Sequence, residues 1–158
     1  MKSTFLAVVT ALSFMLSSRA EAATLTAPAG SFGLDPSSLD DCYVPFGGQY
    51  LTSNVSGATC WGEAPILLPT STVISSITVY YYDNSASCSV YAALVKRSVT
   101  SGSTSNVSSS TSTSSSASMQ SFSLSGATLS SSSMYGIQVS AGYASSNGCR
   151  IYGYKITY

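Results

Sequence analysis

Four cysteines and five acidic residues are the side chains that could act as nucleophiles, acids or metal ligands beyond the first 23 residues of this sequence. The 158-residue chain contains no histidine, which excludes a Ser-His-Asp triad, a His-paired cysteine nucleophile and a zinc hydrolase site. A glycosidase needs two carboxylates that flank a bond, but the adjacent Asp40 and Asp41 are more typical of turn capping. These two acids and Asp35 lack the spacing of a calcium loop. The sequence therefore predicts no catalytic residue, no metal and no cofactor.

The cysteines are more typical of disulfides than of a metal site. Their number is even, no two form a C-x-x-C pair, and no histidine is present to complete a metal site. Paired cysteines are also characteristic of proteins exported to an oxidising compartment. Sequence alone allows three pairings of Cys42, Cys60, Cys88 and Cys149.

The segment ITVYYYDNSASC, at residues 77–88, raises the possibility of binding through aromatic rings. In a strand, successive side chains point to opposite faces. If Ile77, Val79 and Tyr81 face the core, then Tyr80 and Tyr82 face outward.

The outward tyrosines have two interpretations. In the first, they lie across Gly153 of a neighbouring strand and cover its bare backbone. In the second, they form a platform, with Trp61 or Tyr43 nearby, that stacks against sugar rings.

The N-terminus has the pattern of a signal peptide at residues 1–22. Lys2 precedes an apolar run, Phe5 to Leu16, which is too short to span a bilayer, and Ala20-Glu21-Ala22 matches a signal peptidase site. Nothing after Ala23 is long or apolar enough to span a membrane. We therefore expect residues 23–158 to form one secreted domain, either extracellular or periplasmic.

Composition and periodicity predict an all-β fold. The chain is rich in serine, it has eleven tyrosines, and its six basic and six acidic residues balance, which argues against nucleic acid and anionic membranes as partners. Alternating apolar residues between Ser, Gly and Asn turns indicate an antiparallel β-sandwich or jelly roll. The predicted strands are 73–82, 89–96, 120–124, 135–141 and 150–158. We expect one or two strands with disulfide-tied loops in 24–65, a loop at 100–105, and either a polar edge strand or a flexible arm at 106–118.

Strand order suggests how the cysteines pair. If residues 73–82 lie antiparallel to residues 151–158, Cys88 falls close to Cys149, and Cys42 is left to pair with Cys60. On the last strand, this arrangement predicts outward positions for Ile151, Gly153, Lys155 and Thr157. Tyr152, Tyr154 and Ile156 would then share the other face.

Three segments resemble a group of uncharacterised secreted bacterial β-sandwich proteins. They are LPTSTVISSITVYYYDNSASCSVYAALVKR at 68–97, the terminal CRIYGYKITY at 149–158, and TLTAPAGSF at 24–32. The chain departs from that pattern at Cys88, at Cys149 and at Thr70-Ser71. The resemblance implies export and a sandwich fold, and it implies no activity.

The sequence thus predicts a secreted, non-catalytic protein with a structural, surface-assembly or binding role at the cell exterior. Its partners would be copies of itself, joined through sheet edges, or a polysaccharide bound by surface tyrosines. A glycoside hydrolase that uses Asp40, Asp41 or Glu63 is the least favoured reading.

Overall fold

The computed structural model describes residues 22–45, 47–112, 115–143 and 148–158, and these ranges contain eleven β-strands. The strands are β1 (Thr24–Pro28), β2 (Gly33–Leu34), β3 (Cys42–Tyr43), β4 (Thr52–Ser53), β5 (Thr59–Pro65), β6 (Ser76–Asp83), β7 (Val90–Ser98), β8 (Thr104–Thr111), β9 (Ser116–Ser125), β10 (Ser133–Gly142) and β11 (Cys149–Thr157). Two 3-10 helices, Ala29–Ser31 and Pro36–Asp41, complete the described secondary structure. The predicted signal peptide lies outside the described residues, apart from Ala22.

The strands form two antiparallel sheets and one short ribbon. The four-stranded sheet has the order β1-β11-β6-β9, the five-stranded sheet has the order β2-β5-β10-β7-β8, and β3 pairs with β4. The predicted all-β antiparallel sandwich in a single small domain is confirmed. Among the described residues, no helix combines the length and the apolar character needed to cross a membrane.

One hydrophobic core lies between the sheets, because alternate side chains of both sheets point inward. In β6, Ile77, Val79 and Tyr81 are buried, whereas Thr78 and Tyr80 remain half-buried on the outer face. The five-stranded sheet contributes fully buried side chains such as Leu94, Ile137 and Val139. All of these buried residues belong to the same cluster, so the outer faces of the two sheets point away from each other.

The predicted facing of the last strand is wrong at its start because of a β-bulge. Ile151 is fully buried, and the register shifts between Ile151 and Gly153, which makes Tyr152 the extra residue. Tyr152 therefore lies outside the core while Tyr154 and Ile156 lie in it. A strict period of two cannot anticipate such an insertion.

Gly153 lies opposite Tyr80 of β6, as the sequence predicts. The need for glycine at this position, however, comes from β1, which is the neighbour of β11 on the other side. Its φ is 146°, and a Cβ there would approach the carbonyl oxygen of Ala27 to 2.2 Å. The residue must be glycine because β1 approaches the bulge closely.

The region before residue 66 holds five strands instead of the expected one or two. Three of them contain two residues each, which is too short for any periodic signal. The longest, β5, has the sequence TCWGEAP, and its glycine, glutamate and proline are depleted in strands. Pairing with β10 along its whole length overrides that weak propensity.

The serine-rich region 106–118 belongs mostly to strands. β8 begins at Thr104, inside the loop expected at 100–105, and forms the outer edge of the five-stranded sheet. β9 begins at Ser116 and belongs to the other sheet. Residues 113 and 114 lie outside the described ranges, and the interpretation as a polar edge strand holds for β8.

Both disulfides have the predicted pairing. Cys42 and Cys60 have Cα atoms 4.8 Å apart, and Cys88 and Cys149 have Cα atoms 6.2 Å apart. The second pair forms because β6 and β11 are antiparallel neighbours, with Cys149 directly opposite Asp83. The strand adjacency inferred from sequence is therefore confirmed.

Candidate functional site

Two aromatic rings lie in contact across the outer face of the five-stranded sheet. The strand register places Trp61 of β5 and Tyr91 of β7 on either side of Ser140 in β10. The two ring centroids are 5.9 Å apart in an edge-on arrangement. Ser140 is only 5% exposed although it faces outward, because the rings lie over it.

An ion pair crosses the same face over Gly136 of β10. Arg97 donates from both of its terminal nitrogens to the two carboxylate oxygens of Glu63, which raises the pKa of the guanidinium. The carboxylate of Glu63 passes over Gly136, where a Cβ would lie 2.7 Å from Oε1. Arg97 also donates from Nε to Thr104 Oγ1 at 3.2 Å, which connects the pair to the edge strand. The bidentate geometry fixes the orientation of both side chains.

Small residues form the floor between the rings and the ion pair. Ala93 of β7 and Gln138 of β10 lie side by side, and Glu63 lies opposite Gln138. Ala93 and Gly136 are buried on the outer face, so larger side chains from neighbouring strands close over them. Ala93 and Gly136 therefore lie beneath the outer side chains, and the open part of this face is the adjacent cleft.

Beside this floor lies a cleft of about 280 Å³. Its lining residues are Gly33, Leu34, Asp35, Pro36, Trp61, Gly62, Glu63, Arg97 and Gln138. The backbone N–H of Asp35 donates to the carbonyl oxygen of Trp61 at 3.1 Å, which holds the first 3-10 turn of residues 36–41 against β5. The volume is close to the lower limit of about 300 Å³ for small-molecule pockets.

Asp35 is the cap of that turn, and its environment favours the charged form. Its Oδ1 accepts from the Ser37 hydroxyl at 2.5 Å and from the Ser37 backbone N–H at 2.8 Å. These two hydrogen bonds lower the pKa of the Asp35 carboxyl. The cleft is thus lined by two acids and one arginine, and the arginine is paired with one of the acids.

The four aromatic residues singled out from sequence lie on three different sheets. Tyr80 and Tyr82 are on the outer face of the four-stranded sheet, and Trp61 is on the outer face of the five-stranded sheet. Tyr43 is 46% exposed on the β3–β4 ribbon. The expectation that Trp61 lies beside the outward tyrosines is wrong, because the core separates the two faces.

Sequence reasoning missed Tyr91 as the ring that contacts Trp61, and Arg97 and Gln138 as residues that line the same cleft. One signal was available in SVYAALVKR at 89–97, where Tyr91, Ala93, Val95 and Arg97 alternate on one face. Their contact with β5 depends on β10 lying between the two strands, and local patterns do not encode that order.

No protein family model and no curated protein matches this chain. Among solved structures, the Podospora anserina GH26-CBM35 beta-(1,4)-mannanase superposes with a TM-score of 0.52 at 16% identity, over 85% of this chain and 27% of that one. The Arthrobacter globiformis T6 isomalto-dextranase complexed with panose superposes with a TM-score of 0.48 at 12% identity, over 84% and 23%. The chain spans about a quarter of the length of these structures. At 16% identity, the superposition on the mannanase shows that the two chains share a fold, and it shows nothing more.

Proposed function

We propose that this protein is an exported, non-catalytic carbohydrate-binding protein that holds a neutral polysaccharide in the Trp61 cleft. The observation that carries the proposal is the combination of a half-buried tryptophan ring, two carboxylates and an amide around one shallow cleft. Sugar rings pack their C–H faces on aromatic rings, and carboxylate and amide groups bind their hydroxyls. The two disulfides support export.

Charge favours a neutral ligand in the cleft. Arg97 is engaged by Glu63, so Asp35 leaves the lining with one net negative charge. An acidic sugar would meet repulsion from Asp35, or it would have to displace Glu63 from Arg97. A neutral sugar avoids both penalties.

The same contacts support binding without hydrolysis. A glycosidase needs a carboxylic acid with a raised pKa that protonates the leaving oxygen. Hydrogen bonds from Ser37 lower the pKa of Asp35 instead, and Glu63 is held in a bidentate ion pair. The fold also occurs in a structure that contains a beta-(1,4)-mannanase, so mannan belongs among the neutral polysaccharides to be tested.

Replacing the tryptophan tests the proposal directly. We expect Trp61→Ala to weaken binding to a soluble neutral polysaccharide by at least about tenfold, because aromatic residues in binding sites commonly contribute about 2 kcal/mol. Affinity electrophoresis against mannan, glucan and xylan measures the effect, and release of reducing sugar is followed in the same samples. Tyr82→Ala, on the other sheet, is the matched control and should leave retardation unchanged. Equal retardation of wild type and Trp61→Ala on every polysaccharide would refute this function, and release of reducing ends would refute the non-catalytic part.

The lowered pKa of Asp35 gives the binding a characteristic pH dependence. Because the folded-state pKa lies below the ordinary value of 3.8, the carboxylate stays charged as the pH falls through 3.8 and is protonated only further down. We expect Ser37→Ala to remove the hydroxyl hydrogen bond, which is the largest cause of the shift, while the backbone N–H at position 37 still donates to Asp35. The acid limit of sugar binding should therefore move upward, part of the way toward 3.8. Affinity measured between pH 2.5 and 7 checks this, and the two proteins should agree at pH 7. If the affinity of the wild type and that of Ser37→Ala fall at the same pH, Asp35 does not contact the sugar.

Self-assembly through sheet edges is a second candidate, and it has one observation in its favour. Among the strands that the structure describes, β8 pairs only with β7, and it contains no charged residue or proline, the usual protection of an edge strand. However, the register shift opposite Leu94 and Val95 interrupts the edge, and the Ser108 hydroxyl donates to the carbonyl oxygen of Ser125 in β9 at 2.8 Å. Both features hinder addition of another strand. Light scattering after size exclusion distinguishes the two candidates, since assembly requires oligomers that grow with protein concentration.

A further inference from the structure

A second group of aromatic residues lies on the other side of the molecule, around Arg150 at the start of β11. The central carbon of its guanidinium is 4.8 Å from the ring centroid of Tyr50 and 5.5 Å from that of Tyr82. The rings of Tyr50 and Tyr152 are 6.0 Å apart in an edge-on arrangement. The Tyr82 hydroxyl accepts a hydrogen bond from Asn84 Nδ2 at 2.8 Å, which orients that ring. These contacts hold the Arg150 guanidinium against the rings of Tyr50 and Tyr82, with Tyr152 packed on the Tyr50 ring.

The group continues along the sheet as a strip. The register of β6 and β11 pairs Tyr82 with Arg150, Tyr80 with Gly153, and Thr78 with Lys155. From Tyr82 to Thr78 the strand rises about 13 Å. On the far side of β6, the exposed Ser121 and Ser123 of β9 have small side chains that do not project above the neighbouring tyrosines. We name Tyr50, Tyr80, Tyr82, Arg150, Tyr152 and Lys155 the tyrosine–arginine strip.

The charge of this strip is opposite to that of the cleft. Arg150 and Lys155 are the charged residues at the outward positions of β1, β11, β6 and β9. The acid nearest in sequence, Asp83 of β6, is 2% exposed and faces inward, where its Oδ2 accepts from the Ser112 hydroxyl at 2.6 Å. The strip therefore presents two positive charges and several ring faces, with no acid among the outward residues of its strands.

We infer that the tyrosine–arginine strip is a second binding site, which takes a carboxylate-bearing polysaccharide such as a polyuronate. A guanidinium pairs with a carboxylate in two parallel hydrogen bonds, and a lysine adds a second point charge further along the polymer. The tyrosine rings between them provide faces for the sugar rings. The inference is independent of the Trp61 cleft, because the ligand, the sheet and the residues all differ.

The length of the strip distinguishes a polymer from a small anion. A single carboxylate ion would contact Arg150 or Lys155 but not both, since about 13 Å of strand separates them. A linear uronate oligomer carries charges at regular intervals and can reach both cations. We therefore expect affinity to rise steeply from the monomer to the oligomer, and to fall as salt screens the charges.

Calorimetric titration of the full-length protein with a uronate hexamer tests the inference. We expect binding at 50 mM salt that Arg150→Gln weakens by about tenfold, the effect of losing a charge-assisted hydrogen-bond pair. Arg150→Lys keeps the charge but not the planar pair, so it should restore part of the affinity. Lys155→Gln, at the other end of the strip, should weaken binding about threefold. It serves as the second variant if Arg150→Gln does not fold.

Matched controls separate this site from the cleft and from plain charge. Trp61→Ala should leave uronate binding unchanged, and Arg150→Gln should leave neutral polysaccharide binding unchanged. Failure of the uronate alone would overturn only the present inference, and failure of the neutral ligand alone would overturn only the proposed function. Equal binding of a sulfated polymer would also overturn the assignment, because it would mean that the strip selects charge rather than a carboxylate. So would uronate binding that survives in a folded Arg150→Gln, Lys155→Gln double variant.

Discussion

Gly153→Ala is expected to lower the free energy of unfolding by about 3 kcal/mol. The added Cβ would lie 2.2 Å from the carbonyl oxygen of Ala27 and 3.0 Å from the Cα of Pro28, both of them backbone atoms of β1. The φ of 146° is in addition one that residues with a side chain rarely adopt, which costs about 1–3 kcal/mol. Neither strand can retreat without breaking the β1–β11 pairing. Urea unfolding followed by tyrosine fluorescence measures the change.

Gly142→Ala in β10 is the matched control for this prediction. There the nearest atoms are those of Ser89, at 3.5 and 3.6 Å, which is ordinary van der Waals contact. We expect a change within about 0.5 kcal/mol, since glycine in a strand is itself slightly unfavourable. Similar losses for the two variants would show that the approach of β1 does not determine the stability of this sheet. Amide exchange should also reveal early loss of protection in β1 for Gly153→Ala.

Removal of the Cys88–Cys149 disulfide is expected to cost about 4 kcal/mol, and removal of Cys42–Cys60 about 3 kcal/mol. The bridges join residues 61 and 18 positions apart, and in the loop-entropy model a longer closed loop restricts the unfolded chain more. The larger loop encloses β7, β8, β9 and β10, and so it includes most of the five-stranded sheet. Paired cysteine-to-alanine variants, unfolded in urea at pH 7, measure both values.

Reduction of the wild-type protein gives an internal check of that ranking. The Cys88, Cys149 double alanine variant should remain the less stable of the two without reductant. In excess dithiothreitol, the free energies of unfolding of the two variants and the wild type should converge. Under these conditions the wild type has thiols and no disulfide at these positions, so each alanine replaces only a thiol. A greater loss from the Cys42, Cys60 variant would contradict the ranking by loop length.

Much of the sandwich could be predicted from sequence because its long strands alternate strictly. Ile77, Val79 and Tyr81 alternate with threonine and tyrosine, and this pattern correctly assigned the two faces of β6. Adjacency of β6 and β11 was a separate assumption about sandwich topology. The structure confirms it, together with the pairing of Cys88 with Cys149 that depended on it. The prediction that Ile151 faces outward is wrong because a bulge changes the period within the strand, and such a bulge leaves no local signal in the sequence.

The candidate site was harder to predict because it depends on strand order within a sheet. The sequence offered Trp61 as a candidate stacking residue, but its neighbour Tyr91 comes from a strand 30 positions later in the sequence and two strands away in the sheet. The ion pair of Glu63 and Arg97 likewise spans β10, and it is possible only because position 136 is glycine. Composition reveals the residues available for such a site, whereas the topology determines which of them meet.

The opposite orientation of the two outer faces gives the molecule a property that neither face has alone. The sheets of a sandwich lie about 10 Å apart, and a single rigid core joins them here. Two ligands bound on the outer faces could not touch, and no flexible linker would separate them. If both proposed sites bind their ligands, one molecule with a neutral polymer in the cleft and an acidic polymer on the strip would be a bivalent crosslinker of fixed length. Its crosslinking of a mixed polysaccharide gel would then depend on the ratio of protein to polymer. When protein is in excess, each polysaccharide chain is covered by its own protein molecules, and few molecules bridge two chains.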